Sequence, residues 1–213
     1  MVDVTHEFDA PGPQPNGMQA TAEGIWFLDQ ETNQAALVSF AGETIKTLET
    51  ASDRGSGITV AGSALWLAST YDRKILRVDR ETGETLDRFD TPGAVVTGAH
   101  GLEVRNGCLW MAVPPSATIY QVEPDKGFDV VHSIPAPGDR PHGIAWEGRD
   151  LWCVETNHRA IYRLNTADGS ILEKIRISAD HPEPHGMTMW DGAFWYCDAG
   201  SRAVCRVTRR QCR

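Results

Sequence analysis

Short runs of alternating hydrophobic and polar residues fill the chain and are separated by turn signals. The runs are rich in Val, Ile, Trp and Tyr, and pairs such as Thr82-Gly83 and Asn106-Gly107 stand between them. Alternation with a period of two predicts β-strands, and the turn pairs predict tight connections between antiparallel neighbours. No segment is a convincing helix, so the pattern predicts an all-β protein.

The same motif occurs five times, marked by an apolar residue followed by tryptophan. The five tryptophans are 40, 44, 42 and 43 residues apart, at Trp26, Trp66, Trp110, Trp152 and Trp195. Ten residues before each tryptophan lies a polar residue followed by glycine, at Asn16, Ser56, His100, His142 and His185. A repeat of about 40 residues is typical of β-propeller blades.

Each copy contains four short apolar runs, which predict four strands. In the second copy the strands are expected near 57–61, 64–69, 73–79 and 84–90. A four-stranded antiparallel sheet cannot bury both of its faces alone, so the copies must stack around a circle. The sequence therefore predicts a single domain over residues 1–213, a five-bladed β-propeller of four-stranded antiparallel blades.

The two ends of the chain are expected to meet in the last blade. The fifth copy ends soon after its third strand, whereas residues 8–12, Phe-Asp-Ala-Pro-Gly, nearly repeat residues 89–93 at the end of the second copy's fourth strand. The N-terminal strand is therefore predicted to complete the fifth blade and to remove an exposed sheet edge.

Composition and charge limit the possible partners. The chain has 41% hydrophobic and 23% charged residues, a net charge of -9 and a pI near 5.2, so a folded protein without a nucleic-acid or anionic-membrane partner is expected. No apolar run is long enough to span a membrane and the first residues lack the order of a secretion signal, so the expected location is cytoplasmic. The five cysteines form no C-x-x-C pair and are odd in number, which favours reduced thiols.

The position before the repeat glycine, here called the ring position, carries the main candidate site. Because the first strand of each blade is innermost, the five ring positions are expected to surround one mouth of the central channel. His100, His142 and His185 come from consecutive blades, and three converging imidazoles are typical ligands of a catalytic metal. The prediction is a divalent ion, zinc first and Mn, Fe, Ni, Cu or Mg as alternatives. The alternative interpretation is that each histidine has a structural role and forms a hydrogen bond within its own turn.

Three carboxylates are candidate catalytic groups. Glu155 and Asp198 stand three residues after the tryptophans of the fourth and fifth copies, at the same rim as the ring position. Each is expected to complete the metal coordination, to orient an imidazole or to move a proton, or else to cap a turn. Glu103 lies inside an otherwise apolar strand, where a charge needs a partner.

The loops around the mouth supply candidate substrate-binding residues for a small-molecule substrate. Arg54 and Arg140 each lie two residues before a ring position and are candidates to anchor a substrate carboxylate, with a surface ion pair as the alternative. The remaining candidates are Asn16, Ser56, Tyr71, Asn157 and His158. Three further histidines lie off the ring position and are predicted to be surface residues: His6, His132 and His181.

The motif of the fourth copy resembles that of a known family. His142-Gly143-Ile144 leads to Leu151-Trp152, and residues 161–165 read Ile-Tyr-Arg-Leu-Asn, which resembles the repeat of virginiamycin B lyase-like propellers and, more distantly, of the gluconolactonase/NHL group. The resemblance implies a metal ion at the channel mouth and ring opening of a lactone or related substrate. Peptidyl-hydroxyglycine lyase, a related propeller, holds zinc with three histidines. Those families have seven or six blades, against five repeats here.

Three function classes remain open at this point. The first is a metal-dependent lyase or hydrolase acting on a small polar molecule. The second is a non-catalytic propeller that binds a small ligand or a protein partner on its rim. The third is a sugar-binding module, which would require five near-equivalent pockets. The asymmetric ring of three histidines, one asparagine and one serine speaks against that equivalence.

Overall fold

The computed structural model describes residues 2–209, which form a closed ring of five four-stranded antiparallel sheets. The strands in chain order are β1 (Val2–Asp9), β2 (Pro15–Thr21), β3 (Gly24–Asp29), β4 (Gln34–Val38), β5 (Thr44–Glu49), β6 (Gly57–Ala61), β7 (Ala64–Ser69), β8 (Lys74–Asp79), β9 (Thr85–Asp90), β10 (Gly101–Arg105), β11 (Cys108–Val113), β12 (Thr118–Glu123), β13 (Asp129–Pro135), β14 (Pro141–Glu147), β15 (Asp150–Glu155), β16 (Ala160–Leu164), β17 (Ile171–Arg176), β18 (Met187–Trp190), β19 (Ala193–Cys197) and β20 (Ala203–Arg209).

Four blades follow the chain directly, and the fifth is completed from the other end. The sheet orders are β2-β3-β4-β5, β6-β7-β8-β9, β10-β11-β12-β13, β14-β15-β16-β17 and β1-β20-β19-β18. In the last sheet, β1 pairs antiparallel with β20, from Val2 opposite Arg209 to Asp9 opposite Ala203. The predicted five-bladed fold and its closure by the N-terminal strand are therefore confirmed.

The predicted strands of the second copy agree closely with β6 to β9. The first two match the expected ranges, and the last two begin one residue later than expected. The only helices in residues 2–209 are two three-residue 3-10 turns, Pro114–Ser116 and Pro124–Lys126, and none of the described helices is long and apolar enough to cross a membrane. Proline at the start of each turn sets the backbone angle that such a turn needs.

The hydrophobic core lies between neighbouring blades. The five repeat tryptophans are at most 6% exposed, which confirms their predicted place in the core. Trp152 of the fourth blade meets Phe194 of the fifth edge-on, with ring centroids 4.9 Å apart. Cys108, Cys153, Cys197 and Cys205 are free thiols, as expected, and Cys212 lies outside the described residues.

The glycine after each ring position allows the innermost strands to approach one another. A Cβ atom added at any of these five glycines would lie no more than 3.0 Å from an atom of the next blade, in every case a backbone atom beside or at that blade's ring position. The glycines are Gly17, Gly57, Gly101, Gly143 and Gly186. Five blades close around a narrow axis only if these positions carry no side chain, which explains why the repeat has glycine there.

Candidate functional site

The three ring-position histidines lie in contact at the mouth of the central channel. His142 is 1% exposed and His185 5%, whereas His100 is half-buried. His100 Nδ1 lies 3.0 Å from His142 Nε2, and the ring centroids of His142 and His185 are 5.2 Å apart in an edge-to-face arrangement. A small cavity lined by His100 and all five ring glycines lies directly below. The structure thus brings together the three residues that the repeat register places at one level.

Burial keeps the three imidazoles neutral. Burial, together with the nearby charges of Arg140 and His185, lowers the pKa of His100 to about 4. Burial likewise holds the pKa of His142 well below its usual value. Burial also lowers the pKa of His185, although the hydrogen bond to the Glu183 backbone and the Glu183 carboxylate oppose this shift and favour the charged imidazole. At neutral pH each ring therefore has a nitrogen able to accept a proton or bind a cation.

Asn16 and Ser56, the other two ring positions, are joined by Gln30. Gln30 Nε2 donates to Ser56 Oγ at 2.9 Å and to the Arg54 carbonyl at 3.4 Å. Because a carbonyl only accepts, Gln30 Oε1 must face Asn16, whose Nδ2 donates to it at 3.3 Å. This leaves Asn16 Oδ1, which is buried and has no hydrogen-bond partner among residues 2–209. The ring therefore contains an unused acceptor.

Glu155 accepts hydrogen bonds from two backbone N–H groups in the loops of its own blade. Its Oε1 accepts the Arg140 N–H at 2.8 Å and its Oε2 accepts the His158 N–H at 2.7 Å, and the side chain is fully buried. These contacts tie the turn after β15 to the loop before His142. They are those of a turn cap, so the predicted catalytic role of Glu155 stays a prediction.

Asp198 occupies the equivalent place in the fifth blade. Its Oδ2 accepts the Glu183 N–H at 3.0 Å and its Oδ1 accepts the Gly200 N–H at 2.8 Å. Unlike Glu155, it also approaches a ring histidine, with Oδ1 3.9 Å from His185 Nδ1. Hydrogen bonds from Gly200, Ser201 and Glu183 outweigh its burial and lower its pKa. Asp198 is thus an ionised group at the edge of the histidine cluster.

Glu103 lies in β10, three residues after His100 and paired with Trp110 of β11. Burial raises the pKa of Glu103 to about 8, against a usual value of 4.5, although hydrogen bonding to Val104 and the charge of Arg105 oppose the shift. Three other blades carry Gln19, Thr59 and Thr188 at the same repeat position, and these residues are hydrogen-bonded to one another. Thr59 Oγ1 donates to Gln19 Oε1 at 3.0 Å, and Gln19 Nε2 donates to Thr188 Oγ1 at 3.4 Å. Glu103 is therefore a neutral acid at the level below the histidines, and its catalytic role stays a prediction.

Glu103→Gln is expected to raise stability by an amount that grows as pH rises from about 4.5 to 8. Between about pH 4.5 and 8 the folded state holds a proton that the unfolded state has released, so the folded state loses stability as pH rises through this window. The substitution removes this loss, a gain of about 2 kcal/mol at pH 8.5 after allowance for partial exposure. Urea unfolding at pH 4.5 and 8.5, with the exposed Glu31→Gln as control, measures the difference. An equal gain at both pH values would contradict the assignment.

The two arginines before ring positions have different surroundings. The Arg54 guanidinium lies over the Tyr71 ring at 5.1 Å, and both side chains are exposed. Arg140 is half-buried, and its NH1 group lies 3.4 Å from Asn157 Oδ1. The structure thus groups Arg140 and Asn157 beside the histidines and groups Arg54 with Tyr71. Substrate binding by all four stays a prediction.

Two residues of the site were not among the candidates from the sequence. Glu183 stands two residues before His185, the same repeat position as Arg54 and Arg140, and its Oε2 lies 3.5 Å from His185 Nε2. That shared position was a signal that could have identified it. Gln30 follows Asp29 at the end of β3, and its link between Asn16 and Ser56 has no counterpart in the repeat pattern.

The remaining histidines lie away from the ring position. His6 is exposed and pairs with Asp9, and His132 Nε2 contacts the Thr166 carbonyl at 2.7 Å on the outer side of the third blade. His158 Nδ1 lies 3.0 Å from the Tyr162 hydroxyl. His132 therefore offers a control for substitutions of the ring histidines.

Comparisons with solved structures find propellers over nearly the whole chain. Glutaminyl cyclase from Myxococcus xanthus superposes with a TM-score of 0.79 at 11% identity, covering 97% of this chain and 95% of that one. Virginiamycin B lyase from Staphylococcus aureus is 25% identical, with a TM-score of 0.59, and the match covers 95% of this chain and 69% of the lyase. A catalytically inactive variant of that lyase, with one histidine replaced by alanine, was solved with quinupristin at 24% identity and a TM-score of 0.60.

Comparison with family profiles assigns the chain. No curated protein matches it. The profile of the virginiamycin B lyase family matches residues 3–212, a range that includes all five ring positions. The match extends over almost the entire length and agrees with the resemblance of the fourth repeat. This five-bladed propeller therefore belongs to the virginiamycin B lyase family.

Proposed function

We propose that this protein is a lyase or hydrolase that opens a lactone, ester or related bond of a small polar molecule at the mouth of the central channel. The observation that carries the proposal is the contact cluster of three neutral, largely buried imidazoles. A neutral imidazole has an unprotonated nitrogen that can accept a hydrogen bond, a proton or a cation. Membership of a lyase family and the inactive histidine variant of the Staphylococcus aureus lyase support the same chemistry.

The hydrogen bonds set the proton positions on His100 and His142. His142 Nδ1 lies 3.2 Å from the Arg140 carbonyl, which only accepts, so Nδ1 carries the proton and Nε2 is an acceptor. His100 Nδ1 must then donate to His142 Nε2. Because the rings are neutral, His100 Nε2 is left with a free lone pair. His142 thus orients His100, and His100 Nε2 offers a hydrogen-bond acceptor to the substrate.

His185 is the ring best placed to gain a proton. Glu183 Oε2 lies 3.5 Å from its Nε2 and Asp198 Oδ1 3.9 Å from its Nδ1, and both negative charges favour an imidazolium. Elimination or hydrolysis requires a base that removes a proton from carbon or water and an acid that protonates the leaving oxygen. We assign both roles to His185: its imidazole takes the proton, and the resulting imidazolium, stabilised by the two carboxylates, gives that proton to the leaving oxygen. We assign the unused acceptor Asn16 Oδ1 to a substrate hydroxyl or N–H.

A divalent ion, zinc first, is a further part of the proposal. His142 Nδ1 and His185 Nδ1 face the Arg140 and Glu183 carbonyls at 3.2 and 3.3 Å, a contact that metal-binding histidines use to direct Nε2 at the ion. Tetrahedral ligand nitrogens lie about 3.4 Å apart, against 3.0 Å between His100 Nδ1 and His142 Nε2, and no metal-ready group of three is present in residues 2–209. The donor chemistry therefore fits: His100, His142 and His185 would be the ligands, with the His100–His142 hydrogen bond replaced by bonds to the ion. With His185 bound to the ion, the nearby ionised Asp198 would be the base. Such an ion supplies Lewis acidity toward a carbonyl oxygen.

Elemental analysis of protein purified without an affinity tag tests the ion. We expect about one equivalent of zinc in the parent and in His132→Ala, and less than a tenth of that in His142→Ala, because three imidazole ligands are reduced to two. Circular dichroism checks that each variant is folded. If all three proteins lack metal after reloading with Zn, Mn, Fe, Ni, Cu and Mg, the ion is excluded and proton transfer by the histidines alone remains.

Turnover of lactones and esters in H₂¹⁸O tests the proposed reaction. Quinupristin, the compound in the Staphylococcus aureus structure, is the first substrate to try, followed by small lactones and esters. Hydrolysis places one ¹⁸O atom in the product and elimination places none, so mass spectrometry distinguishes the two reactions. If no compound is turned over by the parent yet one binds saturably, the alternative of a non-catalytic binding propeller replaces this proposal.

A further inference from the structure

Arg140 has its backbone held on both sides by groups of the candidate site. Its N–H donates to Glu155 Oε1 at 2.8 Å, and its carbonyl accepts from His142 Nδ1 at 3.2 Å. The side chain therefore begins next to the central imidazole of the cluster, and the buried Glu155 keeps it there.

A neutral amide, not a carboxylate, orients the Arg140 guanidinium. Asn157 Nδ2 donates to Asp139 Oδ1 at 3.1 Å, so Asn157 Oδ1 faces Arg140 NH1, 3.4 Å away. No carboxylate among residues 2–209 forms an ion pair with Arg140, whereas Arg159 and Arg202 on the same face pair with Glu183 and Asp9. The guanidinium thus keeps most of its donors free and its charge unneutralised.

The charge of Arg140 acts on the mouth of the channel. The Arg140 carbonyl lies 3.2 Å from His142 Nδ1, and after burial the Arg140 charge is one of the causes that lower the pKa of His100 and of His185. The three imidazoles are neutral, so the histidines themselves offer no positive charge to an anion. Although the net charge of the chain is -9, the Arg140 guanidinium is a positive charge beside the candidate site that has no ion pair among residues 2–209.

We propose that Arg140, oriented by Asn157, binds a carboxylate of the substrate, so that the substrate class is a small organic acid that also carries the bond to be opened. The substrate class in this inference rests on the proposed function, whereas the anion site at Arg140 does not depend on it. A planar carboxylate matches the two parallel N–H groups of a guanidinium. A monoanion also meets less repulsion from Asp139 and Glu183 than a phosphate dianion would.

Arg54 provides an internal comparison, because it occupies the same repeat position two blades earlier. Its guanidinium lies over Tyr71 at 5.1 Å, and its carbonyl accepts from Gln30 Nε2. Within residues 2–209, its guanidinium has no hydrogen bond to a side-chain amide. The two arginines thus occupy the same repeat position, but of these two only Arg140 has a carbonyl bonded to a ring-position histidine and a guanidinium bonded to a side-chain amide.

NMR titration of ¹⁵N-labelled protein with acetate, at constant ionic strength, tests the anion site without any turnover. We expect saturable shifts of the Arg140 Nε–Hε and Asn157 side-chain signals with acetate and none with acetamide, its neutral isostere. Affinity should fall at least tenfold in Arg140→Gln, fall less in Arg140→Lys, and stay within twofold of the parent in Arg202→Gln. Amide spectra of each variant report whether the fold is intact.

Several results would overturn the inference. Acetamide binding as tightly as acetate would remove the role of charge, and loss of binding in Arg54→Gln instead of Arg140→Gln would move the site. Tighter binding of inorganic phosphate than of acetate would show that the ligand class is wrong. Acetate binding through Arg140 in a protein that turns over no lactone or ester would refute the proposed function and leave the anion site standing.

Discussion

His142→Ala is expected to lower kcat/KM for the first identified substrate by at least about a hundredfold. His142 lies at the centre of the cluster, where its Nε2 accepts from His100 and its Nδ1 donates to the Arg140 carbonyl. Its removal frees His100 to rotate and deletes one of the three proposed ion ligands, so the positioned cluster and the proposed Lewis acid are lost together; acid–base catalysis by a positioned group alone contributes 10²- to 10⁴-fold. Steady-state kinetics of the parent and variant measure the effect.

The controls separate chemistry from folding. His132→Ala removes a histidine whose side chain contacts the Thr166 carbonyl and the Trp110 ring, away from the ring position. Its kcat/KM should stay within about threefold of the parent. Thermal unfolding should show that His142→Ala remains folded at the assay temperature. A folded His142→Ala protein with parental kinetics would rule out the histidine cluster as the catalytic centre.

Gly143→Ala is expected to destabilise the fold by more than about 3 kcal/mol. The added methyl group would collide with the backbone of Gly186 and Met187 in the next blade, and Gly143 N–H also donates to the His185 carbonyl at 2.9 Å. Neither backbone can move without opening the ring of blades, so the overlap must be relieved by separating them. Urea unfolding followed by tryptophan fluorescence measures the loss.

Gly200→Ala is the matched control for Gly143→Ala. Gly200 lies in the turn between β19 and β20, and the nearest atom to an added Cβ is Asp198 Oδ1 at 3.4 Å, an ordinary contact. Its free energy of unfolding should change by less than about 1 kcal/mol. Equal destabilisation by the two substitutions would show that close approach of the inner strands is not what requires glycine at the ring.

Part of the site was accessible to sequence reasoning because the protein is a repeat. In five copies in register, one sequence position maps to one level of the ring, so His100, His142 and His185 were expected together and are in contact. The same reasoning applied to the position two residues earlier named Arg54 and Arg140 but omitted Glu183, whose carboxylate lies 3.5 Å from His185 Nε2. A repeat position therefore predicts proximity to the mouth for every residue type that occupies it.

The chemical state of each group could not be derived from the repeat. Glu155 and Asp198 are equivalent in sequence, yet only Asp198 approaches a ring histidine, while Glu155 bonds to the backbone of Arg140 and His158. Gln30 joins Asn16 to Ser56 by contacts between two blades, which no spacing along the chain describes. Such differences depend on side-chain rotamers and on the neighbours that burial selects.

The amino-acid sequence by itself determined the number of blades, the closure of the ring by the N-terminal strand and the level at which the histidines meet. These features follow from period, alternation and glycine spacing, which act locally and are repeated five times. Only the tertiary structure decided which nitrogen of each histidine is bonded, that Arg140 is oriented by an amide while Arg54 lies over Tyr71, and that Glu103 is a neutral acid. Those properties depend on distances between blades and on desolvation, which arise when the circle is complete.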